Sequence, residues 1–146
     1  DSIVCENWEG THNTLRMQVL RDILRYDQDQ IFMKFMQTRI TKISTEPIKT
    51  ELQNYLQFTQ NLFIQLRDAD SRLQSYLIKD VLDTMSIAHL AMCLLEEGQH
   101  MLETMQEDSK LIALEVFMDK HIRKVPIQDE AGLDKFATLI SRFNSV

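Results

Sequence analysis

Residues 87–100, IAHLAMCLLEEGQH, decide the fold that this chain is expected to adopt. The segment Ile87–Leu95 is apolar except at His89, and a helix that is apolar on most of its circumference usually lies among other helices. The same stretch places four chemically active side chains on one helical stripe: His89, Cys93, Glu96 and His100. It therefore fits either a metal-binding helix or a core helix whose one cysteine anchors a disulfide.

The composition of the whole chain favours helices. Its 146 residues are 44% hydrophobic, which is enough for one domain with a substantial core, and they include only three glycines and two prolines. Long helices with few tight turns have this composition, whereas sheets do not. We therefore expect an all-α fold, a single-domain bundle of five to six helices over residues 1–146.

Apolar side chains recur at helical spacing along the chain, and turn and capping residues divide them into segments. The pattern predicts helices over residues 14–43, 47–67, 70–97, 109–124 and 130–144. Thr11 or Asn13 is expected to cap the first helix, which Asp27 and Asp29 interrupt. Gly98 is expected to end the third helix.

The same periodicity assigns side chains to buried faces. The helix over 70–97 has one apolar face, made of Leu73, Tyr76, Leu77, Val81, Leu82 and Met85. A helix is expected after Pro126, with Asp129 as its cap and Leu133, Phe136, Ile140 and Phe143 on one side. The predicted core includes Leu56, Leu77, Leu94 and Phe117.

Charge and hydropathy argue against two classes of partner. The formal net charge is −6 and the basic residues are scattered among acids, whereas nucleic-acid binding needs a clustered positive field. No apolar run approaches the roughly 20 residues that cross a bilayer. We expect no nucleic-acid partner and no membrane insertion.

The spacing of the possible metal ligands argues against a metal site. Metal sites in helical bundles gather ligands from several helices, commonly through a Glu-x-x-His motif on two of them. This chain has that motif once, at Glu97–His100. Four ligands spread along about 16 Å of a single helix cannot converge on one ion. We expect no metal, and a metal-binding bundle is kept as a third hypothesis.

The sequence has no motif that is typical of a catalytic or phosphate-binding site. Cys93 lies between Met92 and Leu94, which predicts a buried and unreactive thiol. The chain has no glycine-rich phosphate loop, no Gly-x-Ser-x-Gly elbow and no Cys-x-x-Cys. We expect that the protein is not an enzyme and uses no cofactor.

The two cysteines, Cys5 and Cys93, permit one disulfide. In a reducing compartment both would stay thiols, but a cysteine so near the start of a chain that begins with Asp1 favours an exported protein. A bridge between them would close a loop of about 90 residues and, in the chain-entropy model, would stabilise the fold by about 4 kcal/mol. A Cys5–Cys93 disulfide is therefore expected.

This arrangement resembles the helical-bundle cytokines. A cysteine ahead of the first helix (Cys5-Glu6-Asn7-Trp8), a second one late in a mid-chain helix (Ala91-Met92-Cys93) and five or six amphipathic helices are similar to the type I interferons. In that family the N-terminal segment is tied to the end of the third long helix, and fish members can carry only this bridge. The helix count is similar also to the intertwined dimers of the interferon-gamma and interleukin-10 type, which implies a homodimer as one possible state.

The resemblance implies a secreted signalling protein of the immune system that binds cell-surface receptor chains through exposed helix faces. Its receptor-binding residues would lie on the polar side of the first helix and near the end of the fourth: Arg16, Arg21, Asp22, Arg25, Lys120, Arg123 and Lys124. Arginine is favoured where interfaces concentrate their binding energy.

A second hypothesis comes from another class of protein. An intracellular adaptor or inhibitor, virus-encoded for example, binds an amphipathic partner helix in a groove and has an apolar central helix similar to that of the apoptosis-regulator fold. Ile87–Leu95 fits such a helix. The oxidation state of the cysteines discriminates the two hypotheses, because export favours the disulfide.

Overall fold

The structure, a computed structural model, describes the backbone of residues 2–124 and 141 and the side chains of residues 14–124 and 141. Its described elements are five α-helices and one π-helical turn: α1 (Ser2–Tyr26), α2 (Gln28–Ile40), α3 (Ile48–Asp68), α4 (Ser71–Met105), α5 (Ser109–Met118) and the π turn (Asp119–Arg123). No strand occurs among the described residues. The predicted all-α class is confirmed, and the helix predicted over 130–144 lies outside the described residues.

The Cα positions group the chain into two units. Unit 1 takes its described residues from Asp1–Thr38 and Leu56–Ser86, and unit 2 takes them from Arg39–Tyr55 and Ile87–Val146. The helices α2, α3 and α4 therefore contribute residues to both units. The prediction that residues 1–146 form one domain stays a prediction.

Unit 1 is held by apolar packing and by one arginine. Its buried apolar side chains are Leu20, Ile23, Met33, Met36, Leu56, Phe63, Leu66, Ile78 and Val81. Arg67 of α3 donates to both carboxylate oxygens of Asp29, at 2.8 and 2.6 Å, and to Asp27 and the Ile23 carbonyl. Burial raises the pKa of the Asp29 carboxyl, but the hydrogen bonds and charge of Arg67 outweigh burial, so this pKa lies below its usual value.

Unit 2 has its own apolar interior. The buried side chains there are Ile40, Ile43, Ile48, Leu52, Ala88, Ala91, Met92, Leu95, Leu114 and Met118. A second arginine, Arg123 of the π turn, donates to both oxygens of Glu51 and also to Glu115 and Asp119. These charge-assisted bonds attach the π turn to α3 and α5.

The first predicted helix is two helices in the structure. Asp27 has φ 51°, in the left-handed region that an aspartate tolerates better than most residues, and it separates α1 from α2. This is the predicted interruption. The predicted start was wrong, because α1 runs through Thr11 and Asn13 and begins at Ser2.

The predicted helix end at Gly98 was also wrong. The helix α4 continues through Gly98 to Met105, where Gln106 takes φ 56° and the Glu107 N–H donates to the Met101 carbonyl. A Cβ atom at Gly98 would lie 2.6 Å from Leu111 Cδ2 of α5. This glycine therefore permits close packing of α5 on α4 instead of ending the helix.

The predicted core is confirmed only in part. Leu56 is buried, whereas Leu77, Leu94 and Phe117 are half-buried. The buried stripe of α4 runs instead through Ile78, Val81, Ala88, Met92 and Leu95. The predicted face and the buried stripe share Val81, but Leu73 and Tyr76 of the predicted face are exposed. The other members of that face, Leu77, Leu82 and Met85, are half-buried.

Candidate functional site

Three side chains of α4, His89, Cys93 and Glu96, form a polar cluster around one arginine of α2, within unit 2. The Arg39 Nε donates to Glu96 Oε1 at 2.8 Å, and Nη2 donates to Oε2 at 2.6 Å. This is the two-point geometry in which guanidinium and carboxylate bind most strongly. The hydrogen bond and charge of Arg39 lower the pKa of Glu96 despite its partial burial.

Arg39 also contacts the cysteine and a histidine of α4. Its Nη2 donates to Cys93 Sγ at 3.4 Å, and its Nη1 lies 3.2 Å from His89 Nδ1. Because a guanidinium only donates, Nδ1 must accept, and the hydrogen of a neutral imidazole is then on Nε2. That nitrogen lies 3.7 Å from Cys93 Sγ, so the sulfur receives two N–H donors.

The cluster changes the interpretation of the metal-like spacing. His89, Cys93 and Glu96 do come together, but they converge on the positive charge of Arg39, where a cation would be repelled. Among the described residues, no three histidine, cysteine or carboxylate side chains could hold a metal ion together. No pattern within α4 indicated Arg39, because this residue belongs to a different helix.

The two predictions about the cysteines have different outcomes. Cys93 is a free, half-buried cysteine in the structure, not the fully buried residue that was expected. The side chain of Cys5 lies outside the described residues, so the Cys5–Cys93 disulfide stays a prediction.

The predicted receptor-binding residues of the first helix lie on α1 in unit 1. Arg21 and Arg25 are exposed, and Arg16 and Asp22 are half-exposed. The Asp22 carboxylate accepts hydrogen bonds from the Gln18 amide at 3.1 and 3.2 Å, one turn away. The two exposed arginines therefore remain accessible to a partner.

Arg16 lines a groove between α1 and α4, which we name the α1–α4 groove. It has a volume of about 350 Å³ and is lined by Arg16, Met17, Ser75, Tyr76, Ile78 and Lys79. Tyr76 is 70% exposed and Met17 is 48% exposed. Sequence reasoning missed this feature, because helical periodicity had assigned Tyr76 to a buried face.

The predicted basic residues near the end of the fourth helix lie at the π turn in unit 2. Lys120 and Lys124 are exposed. Arg123, in contrast, is held by three internal carboxylates, and the hydrogen bonds that it donates to Glu51 raise its pKa further. Arg123 therefore stabilises the fold, and its predicted receptor contact has no support from its surroundings.

A second groove lies between α2 and α3 in unit 1. It has a volume of about 410 Å³, and Met33 and Phe63 form its apolar floor while the exposed Ile64 stands at its rim. Phe63 also packs edge-on against Phe32, with ring centroids 6.3 Å apart. We name this the α2–α3 groove.

Comparisons with known proteins do not add to this geometry. The chain matches no family model, no curated protein and no solved structure. Among the described helices, none is long and apolar enough to cross a membrane. The function must therefore be argued from the described surfaces.

Proposed function

We propose that this protein is a secreted, cytokine-like signalling protein that binds cell-surface receptor chains through exposed helix faces and catalyses no reaction. The α1–α4 groove is the observation that carries this proposal. It combines an exposed tyrosine and methionine, Tyr76 and Met17, with Arg16, which was predicted to bind a receptor. Exposed apolar side chains beside polar ones mark protein-binding surfaces, and tyrosine and arginine are enriched where binding energy concentrates.

The roles of three half-buried arginines support binding rather than catalysis. Arg39, Arg67 and Arg123 each bind carboxylates within the fold. Among the described residues, no buried side-chain nitrogen or oxygen lacks a hydrogen-bond partner. The buried polar groups therefore stabilise the packing of helices, and the accessible chemistry lies on the exposed faces.

Cell-surface binding tests this proposal. The purified chain, labelled with a fluorophore, should bind living cells of its source organism saturably, and unlabelled chain should compete. Mild trypsin treatment of the cells should abolish binding, because the receptors are proteins. Binding that never saturates, or that survives trypsin, would contradict the proposal.

The second candidate is an intracellular adaptor that binds an amphipathic helix in a groove. One observation favours it: the α2–α3 groove with its apolar floor. The location of the natural protein discriminates the two candidates. Recovery from the medium supports the signalling protein, and recovery from the cytosol with reduced cysteines supports the adaptor.

A further inference from the structure

We propose that Met17 in the α1–α4 groove is an oxidation site, at which a hydroperoxide converts the thioether into a sulfoxide and thereby weakens receptor binding. This inference rests on the proposed function and specifies how the same surface is regulated. Two observations carry it: the unequal exposure of the eight methionines of the chain, and the position of Met17 in the groove.

The methionines differ sharply in their exposure to solvent. Met17 is 48% exposed and Met105 is 66% exposed, whereas Met85 and Met101 are half-buried. The other four methionines are buried: Met33, Met36, Met92 and Met118. A water-soluble oxidant reaches an exposed sulfur before a buried one. We therefore expect Met17 and Met105 to be oxidised first.

The chemical step needs only a hydroperoxide as the oxidant. The sulfur lone pair of Met17 attacks the hydroxyl oxygen of the hydroperoxide, the O–O bond breaks, and the leaving oxygen takes up the hydroxyl proton. The products are the sulfoxide and an alcohol, or water when the oxidant is hydrogen peroxide. The sulfur loses the electrons that the peroxide gains. Methionine sulfoxide reductases reverse this change, so the modification is not permanent.

The position of Met17 makes its oxidation matter for binding. Met17 lines the α1–α4 groove together with Tyr76, and its thioether is an apolar, adaptable contact for a partner. A sulfoxide is polar, and a polar group that is buried in an interface without a hydrogen-bond donor weakens binding. Met105 is not among the residues that line the groove, so its sulfoxide should leave the receptor contact unchanged.

The fold itself is not the target of this oxidation. Leu20 and Ile23 are the buried apolar residues of α1, whereas nearly half of Met17 lies in water. In the free protein, the oxygen of a Met17 sulfoxide can therefore be hydrated, and no buried packing is lost. Oxidation at this site should change the affinity for the partner without unfolding the chain.

A competition within one oxidised sample tests the proposal. The wild-type chain is treated with hydrogen peroxide until Met17 is partly converted, and is then incubated with cells whose receptors are limiting. Mass spectrometry of digests gives the sulfoxide share at each methionine in the bound and unbound fractions. We expect Met17 sulfoxide to be depleted from the bound fraction, in line with an affinity about tenfold or more weaker. Met105 sulfoxide should have the same share in both fractions.

Two variants provide a matched pair. Met17→Leu removes the sulfur from the groove, and Met105→Leu removes the other exposed one. Each variant is compared with itself before and after the same peroxide treatment, so its starting affinity does not enter the comparison. Met105→Leu should lose affinity as the wild type does, and Met17→Leu should change by less than about twofold. Methionine sulfoxide reductase should restore the affinity of the oxidised wild type.

Three results would overturn the inference. They are equal shares of Met17 sulfoxide in the bound and unbound fractions, an equal loss of affinity in oxidised Met17→Leu, and oxidation of Met17 no faster than that of the buried Met36. Circular dichroism establishes that each oxidised protein is folded. Saturable cell binding that oxidation of Met17 leaves unchanged is a failure of this inference alone, and the proposed function stands. Absence of saturable binding by the untreated chain is a failure of the proposed function, and the inference falls with it.

Discussion

The contact between Gly98 of α4 and Leu111 of α5 gives a quantitative prediction. A Cβ atom at Gly98 would lie 2.6 Å from Leu111 Cδ2, 2.9 Å from its Cγ and 3.1 Å from its backbone nitrogen. The Cγ and the backbone nitrogen cannot move aside by a simple rotation of the side-chain end. The Gly98→Ala change must therefore displace α5 or force Leu111 from its preferred conformation.

The magnitude follows from two opposing effects. In an open helix interior, glycine to alanine stabilises by about 1 kcal/mol, because alanine loses less backbone freedom on folding. Overpacking of a well-packed contact costs about 1–3 kcal/mol. Since the contact includes backbone, we expect the cost to be at the upper end of this range, and the free energy of unfolding to fall by about 1–2 kcal/mol.

Urea unfolding of four proteins measures this effect: wild type, Gly98→Ala, Leu111→Ala and the double variant. In the Leu111→Ala background most of the clash is gone, so Gly98→Ala should cost at least about 1 kcal/mol less than in the wild type. The reasoning is refuted if Gly98→Ala stabilises the wild-type protein. It is also refuted if the substitution costs the same in both backgrounds.

Three further predictions concern the charged and cysteine residues. Arg39→Met should lower the free energy of unfolding by about 1–3 kcal/mol, because it leaves the Glu96 carboxylate without its partner, and Glu96→Gln should lower it by less. Urea unfolding measures both changes, and equal stability of Arg39→Met and wild type would refute the prediction. Because the pKa of Asp29 is lowered on folding, its ion pair stabilises the protein fully above about pH 4 and is lost as the pH falls through the folded value. Asp29→Asn should therefore melt at a lower temperature than wild type at neutral pH, and this difference should shrink in acid; a difference independent of pH would contradict the assignment. In the natural protein, we expect Cys5 and Cys93 to be oxidised to each other, with a non-reduced mass lower by one hydrogen per cysteine; two thiols that react with iodoacetamide without reduction would favour the adaptor.

The helices with strong local signals could be predicted from the sequence. The helix over 47–67 was expected and α3 spans Ile48–Asp68, because Pro47 suits the residues at a helix start and the apolar side chains keep one face. The starts of α4 and α5 were also predicted to within one residue. Local capping and periodicity are sufficient for these elements.

The end of α4 could not be predicted, because it depends on a residue distant in sequence. Glycine often ends a helix, but Gly98 lies where Leu111 of another helix approaches. The helix ends instead at Met105, before Gln106, a residue type with no preference for the left-handed conformation that it adopts here. Leu77 was likewise placed in the core by periodicity alone, but it is half-buried, because periodicity does not show which part of a face the other helices cover.

Only the α4 side chains of the polar cluster could be predicted from the sequence. The spacing of His89, Cys93 and Glu96 placed them on one face of α4, but Arg39 lies 50 to 57 residues away from them in sequence. A pattern within one helix cannot identify a partner from another helix. The α1–α4 groove was unpredictable for the same reason, except for Arg16.

The affinity of paired surface variants for living cells tests the central claim most directly. One variant, Met17→Ala/Tyr76→Ala, removes the apolar part of the α1–α4 groove; its matched control, Leu102→Ala/Met105→Ala, removes two other exposed apolar side chains. We predict that the first variant binds cells about tenfold or more weakly than wild type, and that the control stays within about twofold, the range usual for surface substitutions. Equal affinities of the two variants, or a loss confined to Leu102→Ala/Met105→Ala, would contradict receptor binding through this groove.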